Sequence, residues 1–366
     1  MITFMAISAV NSQLIPYLNY LEVSSDLKSW ILGGSALVSL LFAVAIGYLS
    51  DHLGRFKPSF YITLVLFIIS SLGSFLFTRF WLQIFMIITM FALVKEVMSI
   101  NETWIFTIEP QKFGKFHCFS ALGLVVGSLL AGWFHQQLSA LALCGFIVGC
   151  GVISGILAFK LEDKSSNKGS ISFSKMKQLL VNRDYMLLLF ILFLLMLSGF
   201  ADQFVVVDKL IDLGGSKVMV SVKFAIQSLM EIPIYLGSLK LFKKFESVHL
   251  LLVASLMTGV KFLAYGFSNT VFWLLLSSSL QLLTHPLIVL TSKTLIAKTM
   301  DKSLASSAQI IGFAVYFGLS GFITPVISNW LASSWSDEVV LFLFAGLAVF
   351  PSYLIWKNRE RYLVKK

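Results

Sequence analysis

Residues 47–57 read GYLSDHLGRFK, and they join two apolar stretches, Trp30 to Ile46 and Ser59 to Phe77, each long enough to cross a bilayer. The joint must reverse the chain within a few residues. Gly54 is suited to the positive-φ position such a turn needs, and Gly47 would let the preceding helix approach a neighbour closely. Asp51 is placed to cap a helix or to face another helix's N-terminus. Arg55 and Lys57 hold the loop on the basic side of the membrane. Residue chemistry leaves two readings open at this point: a well-made turn, or a joint with a function of its own.

Outward from this joint the chain is apolar throughout. Of its 366 residues 57% are hydrophobic and only 13% charged, with a mean hydropathy of +0.87. A soluble domain carries about 25% charged residues. Apolar runs recur at 1–20, 29–50, 58–78, 81–108, 115–134, 138–160, 184–206, 217–239, 248–268, 270–296, 304–331 and 339–357. Runs of roughly twenty such residues are read as membrane-spanning helices. The chain is therefore expected to be an all-α, polytopic membrane protein. The first run lacks a basic leader and carries Asn11, Ser12, Gln13 and Pro16 in its middle, so it is expected to be a retained helix and not a signal peptide.

The net charge of +10 is distributed by side. With twelve spans and both termini on one side, 21 of the 28 Lys and Arg residues fall in the loops of that side and 4 in the opposite loops. That bias predicts an inner (cytoplasmic) membrane protein with both termini in the cytoplasm. It accounts for the basic balance through topology and anionic lipid, with no nucleic-acid partner. Cys118, Cys144 and Cys150 lie inside apolar spans and read as packing residues. No metal-ligand spacing, nucleotide-binding loop or nucleophile–base set appears, which argues against an enzyme, a cofactor and ATP as the energy source. The polar stretch 161–183 reads as a cytoplasmic linker, with an amphipathic segment at Phe173–Val181, between six-helix halves at 1–160 and 184–366. A degraded echo of the opening joint, GSLKLFKKF at 237–245, supports duplicated halves.

Ionisable residues within spans are expensive, and they are functional candidates. They are Lys95, Glu96, Glu102, His117, Asp202, Lys223, Glu231, Lys261 and His285. Low dielectric favours a protonated carboxylate and a neighbouring cation favours the ionised one, so such sets can alternate between proton-loaded and ion-paired states. Lys95 and Glu96 point about 100° apart on a helix. Lys223 is expected to snorkel to the outer end, and Asp202 to line only the vestibule there. Tyr17, Tyr20, Trp104 and Tyr316 fall on spans expected to line a cavity, where a ring can stack on a sugar or an apolar drug.

The opening stretch resembles the signature loop of the major facilitator superfamily, G-x-L-x-D-x-x-G-R-x-K, matched by Gly47, Leu49, Asp51, Gly54, Arg55 and Lys57. The resemblance implies twelve helices in two pseudo-symmetric six-helix bundles. It also implies a conformational latch, made by Gly47, Asp51, Gly54 and Arg55, onto the start of helix eleven at 301–306. Within that superfamily the chain resembles the lactose-permease-like branch of oligosaccharide–proton symporters and sugar efflux carriers. The likeness lies in IPYL at Ile15–Leu18, FGK-x-H at Phe113–His117 with Gly123 and Gly127, and EIP at Glu231–Pro233. It implies that Glu102 and His117 grip the substrate and that Glu231, Lys261 and His285 handle the proton; Tyr17 and Trp104, placed by their spans, join the substrate-binding candidates. The chain departs from that pattern with His at 117 and Lys at 261 where the branch has arginine, and with Ile288 where the permease keeps a glutamate. Glu231, with Glu96, is then expected to carry the proton. The function implied is proton-coupled transport of a sugar or sugar-like solute by a monomer; the alternative is a proton-driven exporter of drugs or metabolites.

Overall fold

The computed structural model describes residues 1–108, 113–163, 179, 181–300 and 305–362. Most of the linker, the bulk of its amphipathic segment and residues 301–304 lie outside the described residues. The described residues are helical, with no β-strand among the elements. In chain order the helices are α1 (Ile2–Tyr20), α2 (Ser25–Leu53), α3 (Phe56–Leu76), α4 (Phe80–Ile108), α5 (Phe113–Trp133, continued by a π-helical turn at Phe134–Leu138) and α6 (Ala140–Ala158). They continue as α7 (Arg183–Gln203, prolonged by Val205–Asp212), α8 (Lys217–Lys244) and α9 (Ser247–Phe267). Next come α10 (Val271–Ser277, a 3-10 stretch Ser278–Leu283, then His285–Thr299), α11 (Ala305–Phe313, a π-helical stretch Ala314–Leu319, then Ser320–Ala332) and α12 (Asp337–Tyr362). Among the described residues, eleven of these helices are long and apolar enough to cross a membrane. The twelfth, α1, is more polar because its Ser8, Ser12 and Gln13 are buried inside the protein and bond to neighbouring helices.

Local chemistry sets the helix boundaries. Ser24, Ser139, Asn182 and Thr270 cap the starts of α2, α6, α7 and α10 by accepting backbone N–H groups. Gly54 ends α2 with φ 62°, the left-handed geometry expected of the opening joint. The expected close approach at Gly47 is not found: a Cβ there meets nothing within 4 Å. Close approach occurs instead on α5, where a Cβ at Gly123 or Gly127 would overlap the backbone of Met1 or Met5 on α1. That four-residue spacing of glycines lets two helix backbones pack directly.

The run at 270–296 is not one helix. Pro286 has no N–H to donate and its ring crowds the carbonyl four residues back, so the chain leaves helical geometry at Thr284 (φ −114°, ψ −98°). Two compact units make up the chain, one of residues 1–168 with 210–232 and the other of 169–209 with 233–366, and α8 crosses from the first to the second at Ile232–Pro233. In the second unit, Leu188, Leu192 and Leu195 of α7 pack with Leu251 and Ala254 of α9 and Leu287 and Leu295 of α10.

Candidate functional site

In the first unit α4 and α5 bring Glu102 and His117 together, with His117 Nδ1 3.7 Å from Glu102 Oε1. That is ion-pair range and too long for a hydrogen bond. Both side chains are largely buried, at 19% and 15% exposed for Glu102 and His117. Glu102 Oε1 has no hydrogen-bond partner among the described residues. A buried carboxylate oxygen without a donor is a strong acceptor in want of one. One turn and a half earlier, Glu96 is buried and accepts a 2.9 Å hydrogen bond from Ser39 of α2. The neighbouring Lys95 turns its ammonium 5.5 Å from the ring of Phe91, in keeping with the angle between adjacent helical positions.

Of the aromatic residues expected to line a cavity, Tyr17, Trp104 and Tyr316 are buried, and Tyr17 lines a small pocket with Gln13, Phe75 and Met90. Tyr17 is buried, donates to the Ser74 carbonyl at 2.8 Å, accepts from Gln83 at 3.1 Å, and packs 4.4 Å from Phe75. Trp104 is buried against Phe60 and donates to the Glu162 carbonyl at 3.0 Å. Tyr316 is buried as well, while Tyr20 is exposed, with the Lys217 ammonium 5.1 Å above its ring.

A second polar centre lies in the other unit. Lys261 of α9 donates to Asp202 of α7 and to Gln281 in the 3-10 stretch of α10, both at 2.7 Å. Thr284 donates to the same Gln281 oxygen at 3.3 Å, and Tyr265 to Ser278 at 3.1 Å. Asp202 and Lys261 are 5% and 3% exposed, so the pair is removed from solvent and depends on close geometry and extra hydrogen bonds to offset desolvation. Asp202 is thus no vestibule residue; it is the buried counter-ion of Lys261. Lys223 does not reach outward either: it is fully buried, with its ammonium 4.5 Å from the ring of Phe224. Glu231 is buried two residues before Pro233, and His285 opens the second part of α10, half-buried.

A third cluster was not anticipated from the sequence. His135, in the π-helical turn that extends α5, lies with Nδ1 2.7 Å from Gln13 Oε1. Gln13 Nε2 donates to Ser221 Oγ at 2.8 Å and to the Lys217 carbonyl at 3.1 Å, which leaves its oxygen to accept from the imidazole. Gln136 accepts from the Val218 N–H at 3.0 Å. Together these bonds tie α1, α5 and the first half of α8. Mid-span Gln13 is the signal that the sequence offers; His135 lies between the apolar runs 115–134 and 138–160.

At the opening joint, the Asp51 side chain and residues 301–304 lie outside the described residues, so the latch has no described geometry. Arg55 is exposed at the start of α3. Lys57 serves as a cap for α6: its ammonium donates to the carbonyls of Phe159 (2.7 Å) and Leu161 (3.1 Å), and its N–H to Asp163 (3.1 Å). No group of three or more His, Cys, Asp or Glu residues that could hold a metal occurs among the described residues.

A family model described as "MFS_1 like family" matches residues 1–344. A maltose permease from Geobacillus stearothermophilus is 22% identical over 235 residues, 64% of this chain and 59% of that protein, so the match spans less than two thirds of the permease. Among solved structures, the nucleoside transporter NupG superposes with a TM-score of 0.77 at 13% identity, covering 98% of this chain and 97% of the other. A D-xylose-proton symporter gives 0.73 at 14% identity over 97% and 94%. A POT family transporter in complex with 5-aminolevulinic acid gives 0.75 at 13% identity over 99% and 95%. At these identities the likeness establishes a shared fold.

Proposed function

The chain belongs to the MFS_1 like family, and on that premise we propose that it is a secondary active transporter. It moves a small organic solute, a sugar or sugar-like compound, across the cytoplasmic membrane by alternating access, coupled to protons. The observation that carries this reading is the Glu102–His117 pair, a largely buried carboxylate and imidazole with one carboxylate oxygen unclaimed. A hydroxylated solute can donate to that oxygen, and the imidazole can donate or accept beside it. The similarity to a maltose permease favours sugar as the first class to test.

On this reading 1–160 and 184–366 are the two halves of the carrier, both termini face the cytoplasm, and Asp51 with Gly47, Gly54 and Arg55 latches one state. Glu231, Lys261, His285 and Glu96 form the proton-coupling set, and the Asp202 carboxylate on Lys261 belongs with it. Loading a proton onto a carboxylate partner of Lys261 would release the ammonium to Gln281 and the break in α10, linking charge to helix geometry.

The test is uptake into proteoliposomes under an imposed pH gradient, with a panel of sugars and cationic dyes. Accumulation of a sugar that collapses with the gradient is the expected result; flux indifferent to the gradient would sink proton coupling. Glu102→Ala should weaken apparent substrate affinity about tenfold or more, since hydrogen bonds to charged groups contribute about 1.5–3 kcal/mol. A second reading, export of drugs or metabolites, is favoured by His117 itself, which lacks the bidentate fork that arginine offers to hydroxyl pairs. Transport of the dyes with no sugar flux would establish it.

A further inference from the structure

α9 and α12 pack against each other from Gly266 and Phe342 at one end to Val248, Leu251 and Ile355 at the other. Ser255 of α9 donates to the Ala348 carbonyl of α12 at 2.7 Å, and Gly259 and Gly266 lie against Val349 and Phe342. Residue numbers rise on one helix as they fall on the other, so the start of α9 lies with the end of α12. Towards that end the two helices leave a groove of about 250 Å³ lined by Leu252, Leu256, Ser352, Tyr353 and Trp356. The Ser352 hydroxyl is turned inward onto the Val349 carbonyl at 2.6 Å, which leaves the groove apolar. Tyr353 and Trp356 are 52% and 57% exposed, amphipathic rings of the kind that sit at a membrane–water interface.

Two cations are stacked on those two rings. The Lys357 ammonium lies 6.0 Å from the centroid of Tyr353, and the Arg359 guanidinium 5.2 Å from that of Trp356. Arg359 also donates to the Trp356 carbonyl at 3.0 Å, which fixes its stem beside the groove. Arg361, further along, is engaged with Asp184 at 2.9 Å. An apolar slot with two anchored cations at its mouth is complementary to a molecule with an acyl tail and a negative head.

We propose that this groove is a binding site for an anionic phospholipid, with one acyl chain between Leu256 and Trp356 and the phosphate at Lys357 and Arg359. A zwitterionic lipid offers the same tail but brings its own ammonium to the cations. Exposed Glu360, the only acidic residue in the helix end Lys357–Arg361, opposes the headgroup.

The experiment is native mass spectrometry of the full chain in detergent, titrated with phosphatidylglycerol or with phosphatidylcholine of the same chains. The unsubstituted protein should retain phosphatidylglycerol preferentially. Lys357→Gln and Arg359→Gln should each reduce its retention about fivefold, the equivalent of about 1 kcal/mol per cation near the membrane surface. Glu360→Gln should raise it, and Leu256→Trp, which fills the slot, should lower retention of both lipids. Lys243→Gln with Lys244→Gln removes two exposed charges from the end of α8 and should leave the preference intact. Equal retention of both lipids by the unsubstituted protein would overturn the proposal, as would an equal loss from the Lys243/Lys244 pair or unchanged retention in Leu256→Trp.

Discussion

Asp202 and Lys261 show how a single pair of side chains can be misjudged from sequence. Both were visible as intramembrane charges, yet depth along a helix and rotation about it decide whether a carboxylate meets water or a lysine. In the folded protein they meet at 2.7 Å, and Gln281 accepts a second hydrogen bond from the ammonium. Removing one partner strands a buried charge, so Asp202→Asn should destabilise the protein by about 3–5 kcal/mol, and Asp202→Asn with Lys261→Met should cost markedly less. Thermal unfolding in detergent measures both, and equal losses would refute the pairing as a structural unit. Trp104 differs from Glu102 although only two residues separate them. Its indole is spent on the Glu162 carbonyl, so Trp104→Phe should lower stability by about 1 kcal/mol and leave substrate affinity unchanged. A tenfold loss of affinity in that variant would return the ring to the binding site.

At the scale of the element, glycine and proline positions carry much of the information. Gly54 was legible because a reversal this short needs a left-handed residue, and it has φ 62°. Gly123 and Gly127 were legible only as family-like spacing; the structure supplies the reason, the backbone of α1 lying directly against α5. Gly127→Val should destabilise by about 1–3 kcal/mol through overpacking, whereas Gly47→Ala, in open space, should be nearly neutral. Comparing their unfolding temperatures checks the pair. The break in α10 was hidden by composition, since Ser277 to Leu283 is apolar enough on average to read as helix. Pro286 was the local clue, and the hydrogen bonds from Lys261, Thr284 and Tyr265 are what stabilise the non-helical path.

For the whole molecule, α8 belongs to two compact units, its first half held to α1 and α5 by Gln13, His135 and Gln136 and its second half lying beyond Pro233. Gln13→Leu removes the amide that serves both His135 and Ser221. Hydrogen exchange at residues 217–224 should then quicken by about tenfold, corresponding to roughly 1–2 kcal/mol of lost hydrogen bonding. Unchanged protection would mean that packing alone fixes this segment. By itself the sequence determined the class, the approximate positions of the spans and the charge asymmetry between the loops. Each of these follows from a local free energy: apolar length against bilayer thickness, or one basic residue against one leaflet. Only the tertiary structure decided that Lys261 meets Asp202 and His135 meets Gln13. Those pairings depend on how each helix is rotated and how deep it sits, and both are set by packing among helices far apart in the chain.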